Sequence, residues 1–227
     1  MNYSLWNIAV SSDLVDPRPG PSERRSTAGT RPPHAPAPPI SVAQSSLVRD
    51  ATDTRLRHNG HMQNLRMRVM GAGDIPAVTE LNNSAHPAVT VLTEEAVTEL
   101  FGLCNIRLVA TNRDRQVTAF LLSLGMGKDY NSENYRWFEN RGVRHQYIDR
   151  VVVSLSAKGT GIGRALYESV FEHARQCGAN EVTAEVNVRP PNPGSMAFHE
   201  RLGFQRLAEQ ETKGESIRVA LLARSVY

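Results

Sequence analysis

Along the first 62 residues the apolar positions recur with no period, whereas from residue 63 onward they alternate between periods of two and of three to four. Leu65-Arg66-Met67-Arg68-Val69 alternates strictly and predicts a strand. Asp74 can cap a helix with Pro76 in its first turn and Ile75, Val78 and Leu81 on its apolar face. Thr93 caps a second helix, with Glu94 and Glu95 at the positive end of its dipole. Residues 106–110 and 117–124 predict two strands. The polar run between them, 111–115, is turn chemistry and makes them an antiparallel hairpin. Residues 125–144 read as a loop in which Tyr130, Tyr135, Trp137 and Phe138 share no periodic face. Such aromatics form either a substrate wall or lid, or a satellite core.

The second half repeats the alternation. Residues 147–153 end in three valines and give the strongest strand signal. Gly159, Gly161 and Gly163 then introduce a helix with the stripe Ile162, Leu166, Val170 and Ala174, stopped by Gly178. Residues 182–188 alternate as a strand until Pro190, Pro191 and Pro193 forbid further pairing. A short helix over 195–202 closes at Gly203, and 204–208 and 217–222 supply two last strands. The expected architecture is an α/β domain over residues 63–227. Residues 1–62 hold eight of the 13 prolines and too little apolar surface to offset ordering entropy, so they are expected to be a disordered tail.

Composition narrows the class. With 227 residues, 40% hydrophobic and 22% charged, the chain fits one globular domain plus an appendage. No apolar run approaches the roughly 18 residues of a membrane span, so no membrane association is expected. The first residues lack a basic segment and place Asp13 where an apolar stretch is needed, which argues against a signal peptide. Cys104 and Cys177 are too few for a disulfide framework or a thiolate metal site, and the expected location is a reducing cytoplasm. No metal is expected. A net charge of +3 from scattered Lys and Arg lacks the patch that nucleic-acid binding needs.

The run Lys158-Gly159-Thr160-Gly161-Ile162-Gly163 between strand and helix carries the chemistry. Glycines entering a helix expose backbone N–H groups at its positive end, a site for phosphate. An NTPase loop needs Lys-Ser/Thr after the glycine, and Gly163 is followed by Arg164-Ala165. A dinucleotide G-x-G-x-x-G fails at Arg164 or at Leu166.

The run resembles instead the acyl-coenzyme-A loop of the GNAT superfamily of N-acetyltransferases, Gln/Arg-x-x-Gly-x-Gly/Ala after a valine-rich strand. Lys158 takes the first position, followed by Gly161 and Gly163. A second block, Asn192-x-x-Ser195-x-x-Phe198-His199-x-x-x-Gly203-Phe204, resembles the family's Asn-x-x-Ser/Ala-x-x-Phe/Leu-Tyr-x-x-x-Gly-Phe. The resemblance covers roughly residues 64–224. It implies a mixed twisted sheet flanked by helices, with a splayed parallel strand pair at the acyl-CoA site. It implies transfer of an acetyl or other acyl group from acetyl-CoA to a primary amine of a small molecule by direct attack. By the same resemblance, Val151, Val152 and Val153 would bond the pantetheine arm. Gly159, Thr160, Gly161, Ile162, Gly163 and Arg164 would hold the pyrophosphate beside Lys158, Asn192 would contact the pantetheine, and Ser195 is a further cofactor-binding candidate. Asp149 stands where many members place a base, with a salt bridge to Arg150 as its alternative role. Glu185 is a second candidate base, and Asn187 shares its strand face. His199 replaces the family's common Tyr and is a candidate acid for the leaving thiolate, or a structural histidine. Tyr130, Tyr135 and Trp137 would line the acceptor side. Alternatives on the same fold are an aminoacyl-tRNA donor, a protein or peptide N-terminus as acceptor, or a non-catalytic coenzyme-A-binding domain. A homodimer is compatible with each.

Overall fold

The computed structural model describes residues 53–58, 61–212 and 217–227. Eight strands among these residues form one sheet in the order β1-β2-β3-β4-β5-β6-β8-β7. In chain order the strands are β1 (Asp53–His58), β2 (His61–Val69), β3 (Ile106–Thr111), β4 (Val117–Gly125), β5 (His145–Val153), β6 (Glu181–Arg189), β7 (Gln205–Thr212) and β8 (Ile217–Ser225). The helices are α1 (Ile75–Ser84), α2 (Glu94–Leu103), α3 (Glu133–Asn140), α4 (Ile162–Gln176) and α5 (Pro193–Arg201). All neighbours pair antiparallel except β5 and β6, which are parallel because α4 carries the chain across between them. β1 and the first two residues of β2 lie within the expected tail, and the rest of it, 1–52 and 59–60, falls outside the described residues.

Alternation along the strands sorts the core into two layers. Ile148, Val151 and Val153 of β5 and Val182, Ala184 and Val186 of β6 pack with α4, through Ile162, Leu166, Val170 and Phe171. The opposite face carries Val109, Phe120, Leu122, Tyr147 and Leu221 against Val78 of α1, Val97 and Leu100 of α2, and Tyr135 and Phe138 of α3. Phe120 is fully buried there, so Phe120→Ala removes a ring that its neighbours cannot replace. The expected cost is about 3–5 kcal/mol of unfolding free energy, read from urea titration.

Two local expectations change in the fold. Asp74 sits at the start of α1 but does not cap it. Its carboxylate takes both guanidinium nitrogens of Arg68 at 2.6 Å and the Gly71 N–H at 2.8 Å. That pairing holds the Asp74 carboxyl below the usual carboxylate range. The aromatic loop contains α3, capped by Ser132, whose hydroxyl accepts from the Tyr135 N–H. Tyr135 and Phe138 lie three apart and so share one helical face, which is buried.

Candidate active site

β5 and β6 pair only over three positions, His145 with Glu181, Gln146 with Val182 and Tyr147 with Thr183. β5 continues to pair with β4 as far as Val153, and β6 with β8 as far as Arg189. The two parallel strands therefore part after Tyr147 and Thr183, and the edge of β5 that includes Val151, Val152 and Val153 faces a gap in the sheet. The turn 190–192 after β6 contains two prolines, which removes N–H groups that could otherwise extend the ladder.

A cavity of about 400 Å³ opens beside this gap on the α4 and α5 side. Val153, Lys158, Gly159, Gly161, Ile162, Gly163 and Arg164 line one wall, and Gly194, Phe198, Arg201 and Leu202 the other. Gly161 caps α4 with φ of +88°, a left-handed conformation that side-chained residues resist. Thr160 is buried and shapes the loop: its Oγ1 donates to the Ala157 carbonyl at 2.6 Å and accepts from the Ile162 N–H at 3.3 Å. The first-turn N–H groups of α4 lack intrahelical partners and carry the positive end of its dipole. Lys158, Arg164 and Arg201 add positive charge around the same opening. The site therefore suits a phosphorylated ligand with an apolar arm. Sequence reading missed Arg201, although Gly194, Phe198 and Arg201 fall at helical spacing on one face of α5.

The opposite face of the gap holds carboxylates. The β4–β5 register slips between Leu122, opposite Arg150, and Ser123, opposite Ile148, so Asp149 is an extra residue in a β-bulge. The bulge breaks the alternation and turns both Asp149 and Arg150 to the α1–α3 side. Asp149 is fully buried and accepts from the Tyr130 hydroxyl at 2.6 Å, with Arg150 Nε 3.2 Å away. Glu185, also buried, accepts from the Tyr147 hydroxyl at 3.0 Å. Burial first, and then the Glu185 and Asp149 charges, push the Tyr147 phenol well above its ordinary value. Thr183 and Asn187 share this face of β6, and Thr183 Oγ1 and Asn187 Oδ1 are buried with no hydrogen-bond partner among the described residues. A second cavity, about 320 Å³, adjoins on the α1 side between Leu81 and Ser84 of α1 and residues 152–156, and Val153 lines both cavities.

Several residues expected in the site serve packing. Tyr135 stacks edge-on against Tyr130 and Tyr147, and its hydroxyl bridges the Gly125 carbonyl and the Lys128 N–H. Burial pushes that phenol well above its ordinary range. Trp137 is half-buried between Phe138 and the Arg141 guanidinium. Asn192 caps α5 by accepting from the Ser195 N–H at 3.0 Å.

His199 does not suit the acid role. Its Nδ1 lies 2.8 Å from the Ser195 carbonyl, which can only accept, so Nδ1 carries the hydrogen. Nε2 then accepts from the Tyr167 hydroxyl at 2.7 Å. Tyr167, Phe198 and Phe204 enclose the ring edge-on, and Ser195 Oγ lies 3.4 Å away. Burial lowers the imidazole to about 4, so it holds no transferable proton near neutrality. Because the folded value lies below the ordinary 6.5, His199 favours the folded state above about pH 6.5. That contribution, about 3 kcal/mol, is lost as pH falls from 6.5 through 4. His145 and His173 are also lowered by burial and act in the same direction. The expected signature is therefore a difference: His199→Gln melts with a shallower acid slope than the parent between pH 6.5 and 4.

The family model for the acetyltransferase (GNAT) family matches residues 130–204, which contain the bulge, the glycine loop and α5. Residues 130–204, about a third of the chain, are therefore similar to the GNAT acetyltransferase family. The chain is 31% identical over 78 residues to the L-amino acid N-acyltransferase MnaT of Escherichia coli (strain K12), a match covering 34% of this chain and 44% of that protein. The match thus spans less than half of that curated relative. Among solved structures, Ard1 from Thermoplasma volcanium superposes with a TM-score of 0.59 at 17% identity, over 72% of this chain and 98% of that one. A GNAT phosphinothricin acetyltransferase from Sinorhizobium meliloti, solved in complex with AcCoA, gives 0.55 at 19% identity over 71% and 88%. These likenesses establish the GNAT fold, a mixed sheet flanked by helices with one parallel strand pair. No helix among the described residues is long and apolar enough to cross a membrane.

Proposed function

We propose that this chain transfers an acetyl group from acetyl-CoA to a primary amine of a small molecule. The observation that carries the reading is the parted β5–β6 pair, with a basic glycine-loop cavity on one face and two buried carboxylates on the other. The fit to acetyl-CoA rests on those parts. The N–H groups at the start of α4, with Lys158, Arg164 and Arg201, hold the phosphates. The open edge of β5 at Val151, Val152 and Val153 accepts the pantetheine arm as an added strand. When bound, acetyl-CoA supplies an activated acyl carbon.

The amine enters from the α1 side, where Asp149 and Glu185 draw a cationic ammonium. Asp149 accepts the ammonium proton, directly or through one water, while the Tyr130 hydroxyl keeps its Oδ1 oriented. Glu185 and Asn187 orient the acceptor from β6. The thiolate takes its proton from solvent or from the released ammonium proton, since His199 has none to give.

Calorimetric titration with acetyl-CoA, beside deacylated tRNA, tests the donor. Micromolar binding of the coenzyme that tolerates salt, followed by free-thiol release with members of an amine library, is the expected result. Salt-sensitive tRNA binding without coenzyme binding overturns the donor. Coenzyme binding that raises the melting temperature with no thiol release for any amine reduces the protein to a binding domain.

A further inference from the structure

Arg150 is one of the largest side chains buried in the molecule, at 1% exposure in the centre of the sheet. A guanidinium withdrawn from water is costly unless its donors are met, and a packing role alone is filled by apolar residues such as its neighbours Val151 and Val152. Its partners come from three segments. Nη1 donates to Asn82 Oδ1 on α1 at 2.8 Å and to the Thr90 carbonyl at 3.2 Å. Nε lies 3.2 Å from Asp149 Oδ2. Asn82, fully buried, donates from Nδ2 to the same Thr90 carbonyl at 2.9 Å and to Asn83 Oδ1 at 2.8 Å. Asn83 then pairs with both backbone groups of Leu92, each at 2.9 Å. One guanidinium therefore joins α1, the connection 85–93 between α1 and α2, and the bulged carboxylate of β5.

We propose that Arg150 is a positioning residue that clamps the 85–93 connection over the acceptor side and fixes Asp149 in its place against Tyr130. The kinetic part rests on the transferase reading above; the clamp does not. The bulge makes the arrangement available, because regular alternation would send Arg150 and Asp149 to opposite faces. The charged and titratable groups around Asp149 are Arg150 and Tyr147 on β5, Tyr130, Glu185 on β6, and Cys104 at the C-terminal end of α2. Arg150 is the cation in contact with the carboxylate, so its removal favours the protonated acid.

Hydrogen exchange and steady-state kinetics on the full chain test the proposal. Asn82→Ala should speed exchange of the 85–93 amides and raise the acceptor KM, each by about tenfold, with kcat and the pH profile unchanged. Arg150→Lys keeps the charge and loses the fork, so it should reproduce both effects while the acid limb of kcat/KM stays in place. Arg150→Gln should in addition move that limb upward by about one pH unit. If Arg150→Gln does not fold, the other two variants decide. Folded variants whose 85–93 exchange and acceptor KM match the parent overturn the clamp. A parent that transfers no acyl group removes the functional reading, and the exchange difference alone then supports or overturns the clamp.

Discussion

Asp149→Asn should lower kcat by about 100- to 1,000-fold while acetyl-CoA binds as it does to the parent. The substitution keeps the shape of the side chain and an oxygen for the Tyr130 hydroxyl, so the bulge and the tyrosine stay in register. It removes the group that accepts the ammonium proton. It also leaves the buried Arg150 without its carboxylate, and loss of one partner from a buried ion pair costs about 3–5 kcal/mol. Activity must therefore be read well below the melting temperature of the variant. The two effects separate cleanly, because destabilisation lowers the active fraction and leaves the pH profile of that fraction alone. Loss of the base removes the acid limb. Glu185→Gln, whose carboxylate is bonded by Tyr147 and is placed here as an orienting group, should raise the acceptor KM more than it lowers kcat. A large kcat loss in Glu185→Gln with near-parental turnover in Asp149→Asn would exchange the two assignments.

Gly161→Ala should weaken acetyl-CoA binding by about 10- to 100-fold and cost about 1–2 kcal/mol of stability. At φ of +88° the added methyl meets the following carbonyl, and the residue relaxes by turning its peptide planes. Those planes carry the N–H groups at the entrance of α4, so relieving the strain misaligns the phosphate donors. Lys158→Ala, in contrast, removes one exposed charge from the rim of the same cavity and should weaken binding by less than about tenfold, with strong dependence on salt. Calorimetry on both variants is the check. Unchanged affinity in Gly161→Ala would mean that the glycine loop does not hold the phosphates.

Strands β2 to β8, four of the five helices and the glycine loop were legible as periodicity and turn chemistry because each is a local property, whereas β1 fell within the expected tail. The helix α3 was not, since only Tyr135 and Phe138 repeat on its buried face within eight residues, and two positions do not establish a period. Of the two roles open to the aromatic group, substrate wall or satellite core, the fold gives it mainly the second. Tyr135 and Phe138 complete a layer whose other half, Tyr147 and Phe120, comes from β5 and β4, the strands that flank α3 in the chain.

For the site, sequence reading named both carboxylates, the loop and the second block, and the fold brings them to one gap in the sheet. Position in sequence cannot reveal which hydrogen His199 carries. Nδ1 bonds the Ser195 carbonyl within α5, but Nε2 is claimed by Tyr167, 32 residues away on α4, and burial by the surrounding rings sets the charge.

What the sequence determined by itself is the order of the elements other than β1 and α3, the alternation that gives the sheet two apolar faces, and the glycines that leave α4 open to an anion. These follow from backbone sterics and short-range spacing. Only the tertiary structure decided where β5 and β6 part, that a bulge turns Asp149 and Arg150 to one face, and that Arg150 reaches α1 and Thr90. Strand register and the partners of a buried charge depend on groups far apart in the chain, and they are set by the requirement that buried polar atoms be paired.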